Sequence, residues 1–464
     1  MNPTARRTLV LCCVPAFMVA LDNLVVTTAL ATIRRSLDAS IASLSWTLNA
    51  YVLSLGVLML AGAALGDRLG RRRMFIAGLV LFTCASAAAA LAASAGWLIA
   101  ARAVQGCGAA LVLPLGLALV SAAFPSGKRG AAIGVWGAVT GAAVAIGPLV
   151  GGAIVQGISW QWIFWLNVPI GLVAAVLAAR LLPESHGARR RLDLPGVALA
   201  SAGLIGIVWG IVRSGQVGWT SPQTLPALSV GVALVMAFVT WELRSESPLL
   251  PTHLLANRQI TAANAATFLM SAALWAAAFL IPQYLQTTLG HRPLAAGALL
   301  LPWTAAPLIV TPLAGIWADR IGNRPLLVAG LALQGIGFGW LAAIASATLG
   351  YVAMLPPLLV AGIGIALVFP TVSNAVLGGV AHDDVNLASA TNSSFREIGG
   401  MFGVAIAVTV FAHNGSVTTP QLFADGMVPA LAVACGLSIV GAVVGLATGR
   451  AREQATSLAA QGAR

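Results

Sequence analysis

Apolar positions in this chain come in long unbroken runs, and polar positions gather in short stretches between them. Fourteen such runs are read, at about 8–31, 44–66, 74–94, 97–123, 130–156, 161–182, 194–213, 223–243, 259–286, 294–317, 325–347, 351–380, 387–412 and 427–449. Each is close to the roughly 20 residues that a helix needs to cross a bilayer. In hydrocarbon no water satisfies the backbone, so every N–H and C=O must pair within the segment, and a run of this length becomes a helix. The runs are too long and too continuous for the alternating strands of a membrane barrel. The pattern predicts an all-α integral membrane protein of fourteen transmembrane helices, with loops too short for a soluble domain.

One polar stretch recurs. Leu65-Gly66-Asp67-Arg68-Leu69-Gly70-Arg71-Arg72-Arg73 follows the second run, and Gly315-Ile316-Trp317-Ala318-Asp319-Arg320-Ile321-Gly322-Asn323-Arg324 follows the tenth. Both copies read Asp-Arg-x-Gly and then arginine, at once in the first and one residue later in the second, and both are flanked by apolar runs. This spacing predicts a duplicated architecture: a six-helix bundle over 1–182, a second over 258–464, and two inserted helices with their loops at 183–257.

Composition agrees with this picture. The chain has 464 residues, 59% of them hydrophobic and only 8% charged, and its mean hydropathy is +0.92. A net charge of +12 would suggest nucleic acid in a soluble protein. Here it reads as orientation, because basic loops stay on the cytoplasmic side. With both termini cytoplasmic, nineteen of the 25 basic residues fall inside, Arg34, Arg35, Arg213 and Arg292 fall outside, and Arg102 and Arg396 lie within spans. The expected location is a bacterial inner (plasma) membrane. The first run is span-length and carries Asp22, so it reads as a retained helix rather than a cleaved signal. Cys12, Cys13, Cys84, Cys107 and Cys435 all sit in apolar runs, and no histidine spacing suits a metal. No cofactor is expected.

An ionised group inside a span costs about 2.5–3.5 kcal/mol on insertion scales, so each one needs a reason. Asp22, Arg102, Arg396 and Glu397 are the four in question. A carboxylate held between desolvation and a nearby arginine can bind and release a proton, which makes Asp22 with Arg102 the first candidate for proton coupling; a static pair that fixes packing is the alternative. Arg396 and Glu397 are sequence neighbours, so they should diverge by about 100° on a helix and make a poor pair. Glu397 is a candidate second proton site, and Arg396 a candidate cavity residue with Asn49 and Gln105. The fifth run carries Gly134, Gly137, Gly141 and then Gly147-Pro148-Leu149-Val150-Gly151-Gly152. Proline bends the span and glycine admits a neighbouring backbone, so this helix suits a pivot or a seal.

Taken together, these segments resemble the major facilitator superfamily, and within it the fourteen-span drug:proton antiporters. Leu21-Asp22 with Val25-Val26 and Ala29-Leu30 resembles that group's first-span motif, whose Asp the resemblance ties to proton coupling. Asp67, Arg68, Gly70, Arg71 and Arg72, with Asp319, Arg320 and Gly322 in the second copy, match the loop motif and imply a cytoplasmic conformational latch. Arg102, Gln105, Gly106 and Gly108 match the fourth-span motif, whose Arg is implicated in proton transfer. Gly147, Pro148, Gly151 and Gly152 match the antiporter signature of the fifth span. Trp160-Gln161-Trp162-Ile163-Phe164 and Asn167-Val168-Pro169-Ile170-Gly171 resemble a sixth-span block, with Gln161 in place of its Arg. Arg396, Gly399, Gly400 and Gly403 resemble a thirteenth-span block, with Glu397 in place of its frequent Gln.

The resulting expectation is a proton-coupled antiporter, monomeric in the bilayer, that exports amphipathic or cationic small molecules and has no nucleic-acid partner. A dedicated exporter of one endogenous metabolite or self-made antibiotic stays open, as does an importer. A non-transport membrane enzyme or sensor is the reading from another class, but the chain shows no His-Glu-x-x-His, no Gly-x-Ser-x-Gly and no phosphate loop.

Overall fold

The computed structural model describes residues 3–187, 193–245, 248, 254, 256–377, 380 and 385–448. Among these no strand occurs. The helices are α1 (Pro3–Ser36), α2 (Ile41–Leu69), α3 (Arg71–Ala90), α4 (Ala95–Ala123), α5 (Ser126–Gly157), α6 (Trp162–Trp165), α7 (Asn167–Leu181), α8 (Leu194–Val217) and α9 (Thr224–Glu242), followed by α10 (Arg258–Gln283), α11 (Pro293–Leu299), α12 (Leu301–Thr304), α13 (Ala306–Ile321), α14 (Asn323–Ile344), α15 (Tyr351–Leu377), α16 (Val385–Asn414) and α17 (Pro420–Gly445). Fourteen spans in them are long and apolar enough to cross a membrane.

Burial is inverted relative to a water-soluble protein. Val230, Val232, Met236, Val443 and many other large apolar side chains are exposed, whereas Asp22, Asn49, Arg102 and Gln105 are buried. This is the pattern of a chain whose surrounding solvent is lipid.

Three expectations needed correction. The tenth run is not one helix: Pro302 and Pro307 each lack an N–H, and the segment breaks into α11, α12 and α13. The last span begins at Pro420, because Thr419 caps it by accepting from Leu422 N, and it ends at Gly445. The charged hairpins are hardly loops at all. Between α2 and α3 only Gly70 is non-helical, at φ 108°, and between α13 and α14 only Gly322, at φ 89°. Glycine alone adopts such angles without strain, so one residue reverses the chain and the flanking charges stay helical.

Contacts divide the chain into two units. The first comprises residues 1–249 and 285–301, and the second residues 250–284 and 302–464. The first boundary inside the ninth span falls at a π-helical turn, Tyr284–Thr288, just past Pro282. In the first unit α4 lies against α1, α2 and α3, α5 lies against α1 and α11, and α8 pairs with α9. In the second unit α10 lies against α16 and α17, and α14 lies against α15 and α17.

Candidate functional site

The polar centre of the first unit is built from six helices. Asp22 of α1 is 3% exposed and Arg102 of α4 is fully buried. Arg102 Nη1 donates to Asp22 Oδ2 in a short ion pair. The same nitrogen donates to Gln105 Oε1 at 2.8 Å, and Nε donates to the Thr47 carbonyl at 3.2 Å. The guanidinium also lies over the Tyr51 ring, 4.1 Å from its centroid, with Phe164 at 5.9 Å. Cation–π contact of this kind helps to replace lost hydration. Arg102 Nη2 has no hydrogen-bond partner among the described residues.

The other carboxylate oxygen, Asp22 Oδ1, accepts from Asn167 Nδ2 at 2.7 Å and from Gln105 Nε2 at 3.0 Å. Both amides also donate to Ser86 Oγ, Asn167 at 3.0 Å and Gln105 at 3.2 Å, and Ser86 donates on to the Phe164 carbonyl at 3.1 Å. Helix periodicity explains the convergence on α4. Arg102 and Gln105 are three residues apart and share a face, and Gly106 follows where a Cβ would run into the Tyr51 carbonyl. One side of α4 therefore carries both the charge and the close approach that brings α2 and its aromatic ring alongside.

The 147–152 stretch of α5 packs next to this cluster. A Cβ at Gly147 would lie 2.8 Å from Leu24 Cβ, and one at Gly151 would lie 2.7 Å from the Val25 carbonyl oxygen. On its other side α5 meets α11, with Gly152 against the Pro293 carbonyl and Gly297 against the Pro148 carbonyl. The sequence expectation that all the α5 glycines serve close packing fails for Gly134, Gly137 and Gly141, where an added Cβ would meet nothing within 4 Å. There α1 and α5 border an apolar groove lined by Leu9, Val10, Val14 and Phe17 with Val135 and Val139.

The first hairpin is stitched to the segment that follows α7. Arg71 Nε bonds Asp67 Oδ1 at 2.7 Å. Glu184 accepts from Arg72 N at 2.9 Å and lies 3.7 and 3.8 Å from the Arg72 and Arg73 guanidinium groups. Arg72 Nη1 donates to the Leu182 carbonyl, Arg71 N to that of Ser185, and Gly187 N to that of Asp67. Arg68 is exposed. In the second copy Arg320 is exposed, and the side chain of Asp319 lies outside the described residues.

Sequence reasoning missed Glu184. It is the acid in the short stretch after the sixth run, beside a basic hairpin, and that charge complementarity was the available signal. Asn167, Ser86 and Tyr51 were missed as members of the cluster around Asp22 and Arg102, because nothing in the linear order ties them to α1.

In the second unit Arg396 Nε does bond Glu397 Oε1, at 3.3 Å, against the expectation that neighbours on a helix diverge. Both side chains are long enough to fold back across the 100° between them. Glu397 is buried and Arg396 is half-exposed. One turn earlier on α16, Asn392 Nδ2 donates to Asn264 Oδ1 at 2.9 Å and to Thr267 Oγ1 at 2.8 Å, both on α10. Gly403 lets α16 seat against the Ala272 carbonyl of α10. Asn49 stands apart from these clusters: it is fully buried, and among the described residues neither polar atom of its side chain has a hydrogen-bond partner.

A cluster of this kind can hold one negative charge in the membrane interior without net charge, and a proton arriving at Asp22 would change that balance. Comparisons with known proteins bear on the family of the chain. The chain is 31% identical over 425 residues to the tetracenomycin C resistance and export protein of Streptomyces glaucescens, covering 91% of this chain and 79% of that one. It is 36% identical over 417 residues to the multidrug resistance protein Stp of Mycobacterium tuberculosis, covering 89% and 77%. It is 35% identical over 427 residues to the cephamycin export protein CmcT of Amycolatopsis lactamdurans, covering 90% and 87%. A crystal structure of the peptide transporter POT superposes with a TM-score of 0.68 at 14% identity over 95% of this chain and 93% of that one, a likeness of fold alone. The family model for the Major Facilitator Superfamily matches residues 12–255 and 263–463, and the chain, a multi-pass membrane protein, belongs to that superfamily.

Proposed function

We propose that this protein is a proton-coupled antiporter that exports amphipathic drugs or antibiotics from the cytoplasm by alternating access. The observation that carries the reading is the buried ion pair of Asp22 and Arg102, an ionisable couple kept inside the membrane where only function or tight packing justifies it. The named activities of the relatives support export, since they are resistance, multidrug resistance and export proteins. The apolar groove between α1 and α5 suits the hydrocarbon part of such a substrate.

In this reading residues 1–182 and 258–464 are the two rocking bundles and 183–257 an accessory pair. Asp22 carries the coupling proton and Arg102 stabilises its charged form. Glu397 supplies a second carboxylate, and Arg396, Gln105 and Asn49 contribute polar contacts in the cavity. The Asp67 and Asp319 hairpins act as latches, and Gly147, Pro148, Gly151 and Gly152 make α5 the seal. The protein works as a monomer in a bacterial inner membrane with both termini cytoplasmic, as the distribution of its arginines suggests. The proton gradient suffices energetically, at about 2.3 kcal/mol per charge per 100 mV of membrane potential.

The test uses everted membrane vesicles with an imposed proton gradient. Lipophilic cations and neutral antibiotics should each release protons on addition, and Asp22→Asn should abolish that release. Release that persists in Asp22→Asn moves the coupling site to Glu397. A panel that moves no protons at all refutes broad drug–proton exchange. A single-compound exporter is the second reading, favoured by relatives named for one antibiotic; growth protection confined to one compound of a mixed panel would select it.

A further inference from the structure

Among the described residues, every side chain that hydrogen-bonds to the Asp22 carboxylate donates to it. Arg102 Nη1 donates to Oδ2, while Gln105 Nε2 and Asn167 Nδ2 donate to Oδ1. Guanidinium and amide nitrogens have no lone pair with which to accept. A protonated Asp22 would bring an O–H that needs an acceptor, and this cage offers none. The arrangement therefore fits the carboxylate, and one member has to turn when a proton arrives.

The neighbours decide which one. Gln105 is pinned, because its Oε1 accepts from Arg102 Nη1 at 2.8 Å, and turning it would aim an amide N–H at the guanidinium. Arg102 is pinned by the Thr47 carbonyl and the Tyr51 ring. Asn167 is held only through its nitrogen, which donates to Asp22 and to Ser86; its own oxygen takes no hydrogen bond from the described residues. A half-turn about its last torsion sets that oxygen where the nitrogen was. Ser86, which donates to the Phe164 carbonyl in the charged arrangement, needs only to rotate its hydroxyl to donate to the turned amide instead.

We propose that Asn167 is the positioning residue for proton exchange at Asp22: as a donor it holds the carboxylate, and turned by Ser86 it accepts the O–H of the acid, so that it sets the pH at which Asp22 loads. The proposal rests on the reading that Asp22 carries the coupling proton. The step itself is a proton transfer from hydronium to a lone pair of Asp22 Oδ1, which forms the acid's O–H and leaves water, with the Asn167–Asp22 hydrogen bond reversing direction. The surrounding charges are few. Arg102 of α4 is the ionised group facing Asp22, and Tyr51 of α2 faces it across the guanidinium. From the other elements against α1, α3 brings Ser86, α6 brings Phe164, α7 brings Asn167, and α5 brings Gly147 and Gly151. Arg292 and His291, before α11, border a separate groove with Gln156.

The experiment is a pH titration of the full-length protein in lipid by difference infrared spectroscopy, following the carbonyl band of a buried protonated carboxylic acid. Loss of the band in Asp22→Asn assigns it to Asp22. Asn167→Ala removes a donor to the charged form and an acceptor of the acid's O–H; the charge-assisted bond is the stronger of the two, so the midpoint should still rise, by about one pH unit, a roughly tenfold gain in proton binding. Ser86→Ala, which leaves both donors in place and loosens their aim, should move it the same way by less. It also serves as the test if Asn167→Ala does not fold. The pH profile of exchange in vesicles should shift in parallel. A wild-type midpoint in Asn167→Ala, or in Ser86→Ala where that variant stands in for it, overturns the proposal while leaving Asp22 as the proton site. A band unaffected by Asp22→Asn instead overturns the underlying reading.

Discussion

Removing Arg102 tests the energetics of the buried pair directly. The side chain is fully buried and makes an ion pair, a hydrogen bond to Gln105, a hydrogen bond to the Thr47 carbonyl and a face contact with Tyr51. In Arg102→Met the hydrocarbon stem is largely replaced, and the main loss is the counter-charge of Asp22. Breaking one side of a buried ion pair costs about 3–5 kcal/mol, because the remaining charge stays desolvated and uncompensated. Asp22→Asn alone leaves Arg102 in the same position, with a similar cost partly relieved by the amide oxygen that can still accept. The double variant, Asp22→Asn with Arg102→Met, buries no net charge and should be less destabilised than either effect added to the other, by about 2–4 kcal/mol. The assay is reversible unfolding in mixed micelles, scored as a double-mutant cycle at one fixed pH. Additivity to within about 0.5 kcal/mol would mean that the two groups do not interact energetically, and the central cluster would lose its basis.

Other expectations follow from the packing and the hairpin. Gly151→Leu should block seating of α5 on α1, since even a Cβ meets the Val25 carbonyl at 2.7 Å, whereas Gly137→Ala faces open space and should stabilise α5 by roughly 0.5–1 kcal/mol; thermal shift in detergent separates them. Gly70→Ala combines φ 108° with a Cβ 2.8 Å from Glu184 Cδ, so it should cost at least about 1–3 kcal/mol and slow transport together. Glu184→Gln keeps an acceptor for Arg72 N but loses the charge facing Arg72 and Arg73. It should weaken the hairpin by about 1 kcal/mol or less, and the deficit should shrink in high salt, as limited proteolysis after α7 can read.

The membrane class, the fourteen spans and the duplicated hairpin were legible in the linear sequence. A run of about 20 apolar residues has one low-energy fate in lipid, helix, and that fate depends on nothing distant in the chain. Asp22, Arg102 and Gln105 stood out for a related reason: a polar group in such a run is costly wherever it sits, so its presence alone is informative. The glycines of α5 were less legible. Gly137 and Gly151 look alike in sequence, yet one faces space and the other a backbone carbonyl, because which face of a helix meets a neighbour is set by the neighbour. The break of the tenth run was signalled by Pro302 and Pro307 but not its consequence, that residues 285–301 pack with the first unit and residues 302 onward with the second.

What the sequence determined by itself, then, is the set of elements and the list of residues that lipid would not tolerate without a purpose. Only the tertiary structure decided their partners. It brought Asn167 to Asp22 across 145 positions and to Ser86 across 81, placed Glu184 on the hairpin 112 positions before it, and folded Arg396 onto Glu397. Helix formation is governed by local hydrogen bonding along the chain, whereas the direction in which a donor points is governed by the packing of several helices at once, and no local pattern encodes that.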